Sequence, residues 1–169
     1  LSTPPALTLP SSIRAVAGPQ SEHFTAEALD IFTSSHWRIG EKVDRMGMRL
    51  EGPKLEHRHG HDIVSDGIVT GSMQVPGTGQ PIILLADRQT TGGYPKIATV
   101  ISSDLGAVGR ARIGDILCFH MVTAADAQTI REKHVFRQKQ LLAAIAPTST
   151  YMIDKLYREN LISGVYGDN

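Results

Sequence analysis

The feature that most constrains the fold of this chain is a succession of short apolar or alternating segments, each bounded by glycine or proline. Segments of this length, with turn residues between them, predict short strands. The predicted strands cover residues 13–16, two strands within 37–50, 62–75 with breaks at Gly67 and Gly71, 81–87, 96–101 and 116–122. Many short strands with few helices are typical of a closed or nearly closed β-barrel. The regular alternation of strands and helices of a doubly wound α/β fold is missing.

Three helices are predicted beside these strands. Thr25 suits the N-cap of a helix that runs to about Thr33, with Phe24 and Leu29 at hydrophobic-staple spacing. Residues 103–110 predict a short helix, and residues 124–146, which lack glycine and proline, predict a long one. The apolar face expected of this long helix comprises Ala127, Ile130, His134, Leu141 and Ile145.

These elements predict a mainly-β barrel with a few short helices and a C-terminal helix. Residues 1–12, rich in Ser, Pro and Thr, are expected to form a linker or a truncated N-terminal edge. Residues 13–123 are expected to form the barrel domain, and residues 124–169 a helical segment that completes it. Because the chain begins at Leu1, we expect a fragment or a processed product.

Charge and composition exclude several classes of partner. The 17 basic and 17 acidic residues give a formal net charge of zero, so the protein has no net positive charge that would attract nucleic acid or an anionic membrane. The longest apolar run, residues 81–86, is too short to span a bilayer, and no signal peptide is visible. A cytoplasmic protein is expected. Cys118 lies in an apolar run and is interpreted as a buried small hydrophobe.

Several common site motifs are missing from the sequence. It has no P-loop, no Gly-x-Gly-x-x-Gly opening a helix, no Gly-x-Ser-x-Gly elbow and no lysine–methionine setting for biotin. We therefore expect the chain alone to bind no cofactor. The run His-Arg-His-Gly-His-Asp at residues 57–62 would converge on zinc only if it formed a strand. Its glycine and mixed charges favour a surface turn, so no metal site is predicted.

Two longer runs carry a resemblance. The first is Asp-Arg-Met-Gly-Met-Arg-Leu-Glu-Gly-Pro at residues 44–53. The second begins with Ser-Asp-Gly-Ile-Val-Thr-Gly-Ser-Met-Gln-Val-Pro at residues 65–76 and ends with Asp-Arg-Gln-Thr-Thr-Gly-Gly-Tyr-Pro-Lys at residues 87–96. From about residue 13 to residue 122 the chain resembles the C-terminal half of the family of biotin-dependent carboxyltransferases and third 5-oxoprolinase subunits. That family includes KipA-type regulators and the second subunit of allophanate hydrolase.

The resemblance implies a cyclophilin-like barrel, the second of two in the whole protein, without the preceding half. It implies ATP-dependent opening of 5-oxoproline, or carboxyl transfer from carboxybiotin, on an amide or urea-like group. ATP or carboxybiotin would come from other subunits or domains. The implied partners are a KipI-type protein, which resembles the B-type subunit of 5-oxoprolinase, and a lactam-utilisation-type subunit. The alternative is a non-catalytic KipA-type regulator that binds a KipI-type kinase inhibitor; prolyl isomerase rests on fold analogy alone.

The same runs supply candidate site residues on chemical grounds. Paired guanidinium groups suit a carboxylate, and a strand would place Arg45 and Arg49 on one face, although ion pairs with Asp44, Glu51 or Asp66 explain either arginine equally well. The loop that follows the apolar segment 81–86 gathers polar groups beside glycines that allow close approach. Barrel packing is the alternative role of Tyr94. We predict catalytic roles for Arg45, Arg88 and Gln89, and substrate binding by Gln74, Arg49, Gly92, Gly93 and Tyr94. His120 is interpreted as a core residue, and no general base is predicted.

Overall fold

The structure is a computed structural model that describes residues 9–144 of the chain. Its strands are β1 Ile13–Ala17, β2 Trp37–Val43, β3 Gly47–Glu51, β4 Asp66–Gly67, β5 Ser72–Gln74, β6 Ile82–Leu84, β7 Thr91–Gly92, β8 Lys96–Val100, β9 Ile116–Leu117 and β10 Phe119–Met121. Its helices are α1 Ala26–Ser34, α2 Leu105–Val108 and α3 Ala124–Ala144. A single 3-10 turn at Ser21–His23 precedes α1.

Eight of the strands form one sheet in the order β10-β1-β8-β5-β6-β3-β2-β9. Only β1 and β10 run parallel; the other neighbours in this sheet are antiparallel. The first and last strands of that order are separated along the chain by one residue, Cys118. One stretch of chain thus pairs with both ends of the sheet, which makes a nearly closed barrel and confirms the predicted mainly-β barrel.

We call residues 116–121 the closing strand. Its first part pairs with β2, where Leu117 lies opposite Trp37, and its second part pairs with β1, where Phe119 lies opposite Ile13. Between them the carbonyl oxygen of Cys118 accepts a hydrogen bond from the backbone N–H of Ile13 at 2.7 Å. The single strand predicted for residues 116–122 is therefore divided by a change of partner.

The core fills the space between the sheet and α1. Phe32 of α1 stacks on Phe119 with ring centroids 4.9 Å apart, and the indole N–H of Trp37 donates to the carbonyl oxygen of Phe32 at 3.0 Å. The Oγ1 of Thr25 accepts from the backbone N–H of Ala28 at 3.1 Å, which confirms the predicted N-cap of α1. These contacts fix α1 against the closing strand.

Three expectations about individual residues need correction. His120 is exposed rather than part of the core, because its neighbour Phe119 points inward and successive strand residues face opposite sides. Cys118 is half-buried rather than buried. Arg45 lies in the turn between β2 and β3 rather than on a strand, so it does not share a strand face with Arg49.

Several predicted elements are shorter in the structure. The strand predicted over 81–87 is limited to β6, and 62–75 contains only β4 and β5. Helix α3 runs to the last described residue, so its predicted end before Pro147 lies outside the described residues, as does Ile145. Of its predicted apolar face, Ala127, Ile130 and His134 are half-buried, and Leu141 is exposed. The predicted domain limits remain predictions.

None of the helices in the described part of the chain combines the length and the apolar character needed to cross a membrane.

Candidate functional site

An open groove of about 540 Å³ lies on the outer face of the barrel. Strands β3, β6 and β5 are neighbours there, and Arg49 and Gln74 both pair with Ile82 in register, so these three side chains share one face. The adjacent Met48 and Ile83 point into the core. Five of the predicted site residues line the groove: Arg49, Gln74, Arg88, Gln89 and Tyr94.

The groove combines both signs of charge with an apolar surface. Ile82 and Leu84 supply the apolar part. Glu41, Lys42 and Asp44 line the side formed by the end of β2 and the turn that follows it. A groove of this kind suits a small polar ligand with an apolar portion.

The side-chain amide of Gln74 is held in a fixed position although it belongs to a groove. Gln74 is only 2% exposed, and its Nε2 donates to the carbonyl oxygen of Tyr94 at 3.4 Å. A Cβ placed on Gly92 would lie 2.5 Å from that nitrogen and 3.3 Å from Nε2 of Gln89. A side chain at Gly92 would therefore displace these side-chain ends, since the two glutamine amides lie close to its backbone.

Arg88 is held by backbone carbonyls rather than by a carboxylate. Its Nε donates to the carbonyl oxygen of Ile68 at 3.3 Å, and its Nη1 donates to that of Ala86 at 3.4 Å. Among the described residues, neither Arg88 nor Arg49 forms an ion pair. Both arginines are half-buried and line the groove.

Arg45 differs from these two arginines. Its guanidinium forms a two-point pair with Asp87, with Nε 2.8 Å from Oδ2 and Nη2 3.2 Å from Oδ1. Its side chain is 85% exposed and does not line the groove. The partner is none of the three carboxylates considered from the sequence. Residues 85–87 lie alongside the turn that carries Arg45, and the backbone N–H of Asp87 donates to the Arg45 carbonyl oxygen at 3.0 Å. This contact places the Asp87 carboxylate beside the Arg45 guanidinium.

Gly93 and Tyr94 complete the loop. A Cβ on Gly93 would meet its nearest atom, the carbonyl oxygen of Ile63, at 3.4 Å, so this glycine is under less steric demand than Gly92. That carbonyl belongs to the segment before β4, and the Ile63 N–H donates to the Gly93 carbonyl oxygen at 2.8 Å. Tyr94 is 39% exposed and lines the groove rather than packing inside the barrel.

Sequence reasoning missed one charged pair beside the groove. Lys96, whose side chain is 2% exposed, places Nζ 2.9 Å from Oδ2 of Asp66. The Nε2 of Gln20 donates to the same oxygen at 3.0 Å. The hydrogen bond from Lys96, followed by that from Gln20, lowers the pKa of Asp66 to about 2. The available signal was that both charged residues lie within the second of the two runs.

The histidine-rich run forms a loop. His57 is anchored, because its ring lies 5.0 Å from that of Phe24 and its Nε2 donates to the carbonyl oxygen of Val75 at 2.9 Å. Burial is the main reason that the pKa of His57 lies below its ordinary value. Within residues 9–144, no three His, Cys, Asp or Glu side chains are arranged to hold a metal ion.

The described part of the chain is thus a mainly-β, nearly closed barrel domain with guanidinium and amide side chains along an open groove. The chain matches the model of the carboxyltransferase domain, subdomain A and B, over residues 2–121. The chain belongs to this carboxyltransferase domain family, as the two signature runs predicted.

Two curated relatives are similar over most of the chain. The C subunit of the Haemophilus influenzae 5-oxoprolinase is 42% identical over 122 residues, which are 72% of this chain and 40% of that protein. The C subunit of the Escherichia coli 5-oxoprolinase is 37% identical over 120 residues, which are 71% of this chain and 39% of that protein. The chain thus spans about two fifths of the length of these relatives.

A solved structure supports the fold independently. The crystal structure of the K. lactis urea amidolyase superposes with a TM-score of 0.70 at 24% identity. The match covers 78% of this chain and 9% of that one, so the shared part is a small portion of a much larger protein.

Proposed function

We propose that this chain is part of a subunit of a multi-component enzyme that acts on amide or urea-like C–N groups. The enzyme would be an ATP-dependent 5-oxoprolinase or a biotin-dependent carboxyltransferase of the allophanate hydrolase type. The observation that carries the proposal is the groove, where the two runs that identify the family meet. They bring to one opening two guanidinium groups that form no ion pair within the described part of the chain.

The chemistry of both reactions fits these groups. Opening a lactam or moving a carboxyl group places negative charge on oxygen atoms bound to the reacting carbon. Donors that are already oriented toward such charge stabilise it without reorganisation. Arg49 and Arg88 would bind the anionic oxygens, and the fixed amide of Gln74 would orient the carbonyl or amide of the substrate.

ATP or carboxybiotin is assigned to other subunits or domains, because the sequence contains no phosphate-binding loop and no biotin attachment setting. When bound, ATP would activate a carbonyl oxygen, whereas carboxybiotin would supply a carboxyl group. The residues present fit the carboxylate of 5-oxoproline or the carboxyl group of carboxybiotin, since Arg49 and Arg88 offer charge-assisted donors. The expected partners remain a KipI-type protein, similar to the B-type subunit of 5-oxoprolinase, and a lactam-utilisation-type subunit.

Substitutions in the reconstituted complex test this proposal. Arg88→Ala and Arg49→Ala should each lower turnover of 5-oxoproline with ATP by about 10²–10³-fold if they stabilise transition-state charge. The control is Arg38→Ala, which removes an arginine that is 61% exposed and paired with Glu51 outside the groove. Arg45→Ala should cause a smaller loss than Arg88→Ala, because Arg45 is paired with Asp87.

The outcomes separate the alternatives. Equal losses in Arg38→Ala and Arg88→Ala would remove the groove as the site. Absence of 5-oxoproline turnover and of carboxyl transfer in the wild-type complex, together with tight binding of a KipI-type protein, would favour the regulatory alternative.

A further inference from the structure

The Lys96–Asp66 pair has no place in the chemistry described so far, although it lies beside the groove. A lysine side chain that is 2% exposed is unusual, because burial of an ammonium group is costly unless it is paired. Its described partner, Asp66, has a side chain that is 50% exposed. The buried ammonium group of Lys96 therefore holds the half-exposed carboxylate of Asp66 at the surface.

The residue that is held belongs to the small two-stranded ladder. Asp66 pairs with Gly92, and Gly67 pairs with Thr91, so β4 and β7 form a ladder separate from the barrel sheet. Lys96 lies on β8 of the barrel. The ion pair is therefore a direct bond between the barrel and the ladder. Gln20 strengthens it, because its Oε1 accepts from the Lys96 backbone N–H at 3.3 Å while its Nε2 donates to Asp66.

The ladder in turn contacts the amide groups of the groove. Gly92, directly opposite Asp66, is the residue whose backbone approaches Nε2 of Gln74 and of Gln89. Gln74 also lies opposite Lys96 in the register of β5 and β8, at the point where that register shifts. Any displacement of the ladder away from Lys96 would move Gly92 relative to the two amides.

We propose that Lys96, through Asp66, is a positioning residue that sets the place of the β4–β7 ladder and thereby the orientation of the Gln74 amide in the groove. The expected effect of Lys96 on ligand binding rests on the proposed function, since the ligand whose affinity should change is a small amide such as 5-oxoproline. The positioning role itself is a property of the free protein.

Replacement of Lys96 by methionine separates positioning from general stability. Methionine fills a similar buried volume, and the Asp66 carboxylate that loses its partner is 50% exposed, so water can solvate it. The melting temperature of Lys96→Met should therefore stay close to that of the wild-type chain. Glu51→Ala is the control, because it breaks an ion pair with a carboxylate of similar exposure, 46%, outside the groove.

Amide hydrogen exchange reports on the ladder directly. The backbone N–H groups of Ile68 and Ile63 donate to the carbonyl oxygens of Thr90 and Gly93, at 3.0 and 2.8 Å. In the 169-residue chain, Lys96→Met should speed exchange at these two amides and leave the core amide of Val100 protected. In the same protein, the affinity for added 5-oxoproline should fall by about tenfold, the loss expected when one hydrogen bond to the ligand is weakened.

Each result decides the matter. Unchanged exchange at Ile63 and Ile68 in Lys96→Met, as in Glu51→Ala, would overturn the proposal. If Lys96→Met does not fold, Gln20→Ala takes its place, since it removes the hydrogen bonds of Gln20 to Asp66 and to the Lys96 backbone while the buried Lys96 ammonium keeps its carboxylate partner. If the wild-type chain shows no response to 5-oxoproline, the proposed substrate fails, while the exchange data still decide whether Lys96 positions the ladder.

Discussion

At the scale of single residues, ion pairing distinguishes the arginines of the two signature runs. Arg45 has its charge balanced by Asp87 in a two-point contact at the surface. Arg88 has its donors directed at backbone carbonyls, which hold the side chain in place without cancelling its charge. A guanidinium that is oriented but not neutralised is better suited to bind an anion than one that must first leave a carboxylate.

His57 gives a residue-scale prediction for pH. Because burial holds its pKa below the ordinary value of 6.5, the unfolded chain binds the proton more readily than the folded chain. The stability present above pH 6.5 should fall as the pH drops through the folded-state pKa. Urea midpoints measured above pH 6.5 and below the folded-state pKa of His57 should decrease less with acidification in His57→Gln than in wild type. The exposed His36, changed to Gln, serves as the control, and equal slopes in all three proteins would contradict the assignment.

The residues of the groove were partly predictable from the sequence, for a physical reason. Arg88 lies where the apolar segment 81–86 gives way to polar groups, whereas Arg49 and Gln74 are polar residues between apolar neighbours, and both patterns are visible in the sequence. The second run contains both Lys96 and Asp66, but their pairing could not be predicted from it, because they are 30 positions apart and their meeting depends on the place of the ladder. A lysine at the start of a strand also looks like an ordinary exposed end.

At the scale of elements, local signals were the ones that could be predicted correctly. The N-cap of α1 depends on Thr25 and the three residues that follow it, so the sequence alone predicts it. The division of the closing strand at Cys118 depends on β1 and β2, which are distant in the chain. Continuous apolar character over residues 116–119 predicts a strand but contains no information about a change of partner.

The closing strand carries the element-scale prediction. Phe119→Ala should lower the free energy of unfolding by about 3–5 kcal/mol, because it removes a buried ring that stacks on Phe32 and leaves a cavity where the barrel closes. His120→Ala, the next residue on the same strand, should change the stability by less than about 0.5 kcal/mol because its side chain is exposed. Chemical denaturation of both variants checks this contrast. Similar costs would mean that His120 contributes to the core after all.

At the scale of the whole molecule, the groove is open on the outer face of the barrel, where another polypeptide can reach it. The chain also spans only about two fifths of the length of its curated relatives. We propose that the site works together with other parts of an assembly.

We therefore expect the purified chain alone to be inert and to associate with a KipI-type partner when the two are co-expressed. Size-exclusion chromatography with light scattering should show a hetero-complex, because we propose that other subunits or domains supply the ATP or carboxybiotin. The chain expressed alone is the control. Only free monomers at micromolar concentration, or turnover by the chain alone at the rate of the complex, would contradict this expectation.

The closing strand also has a consequence for how the protein is made. Ile13 pairs with Phe119, and Trp37 pairs with Leu117, so two early strands have no partner on one side until the end of the barrel sequence leaves the ribosome. At roughly 5–20 residues per second, that interval lasts several seconds. Throughout it, the nascent chain exposes two unpaired edges that can join other chains. Soluble yield should therefore depend on translation speed and on chaperones that shield nascent chains, more than on the stability of the finished barrel.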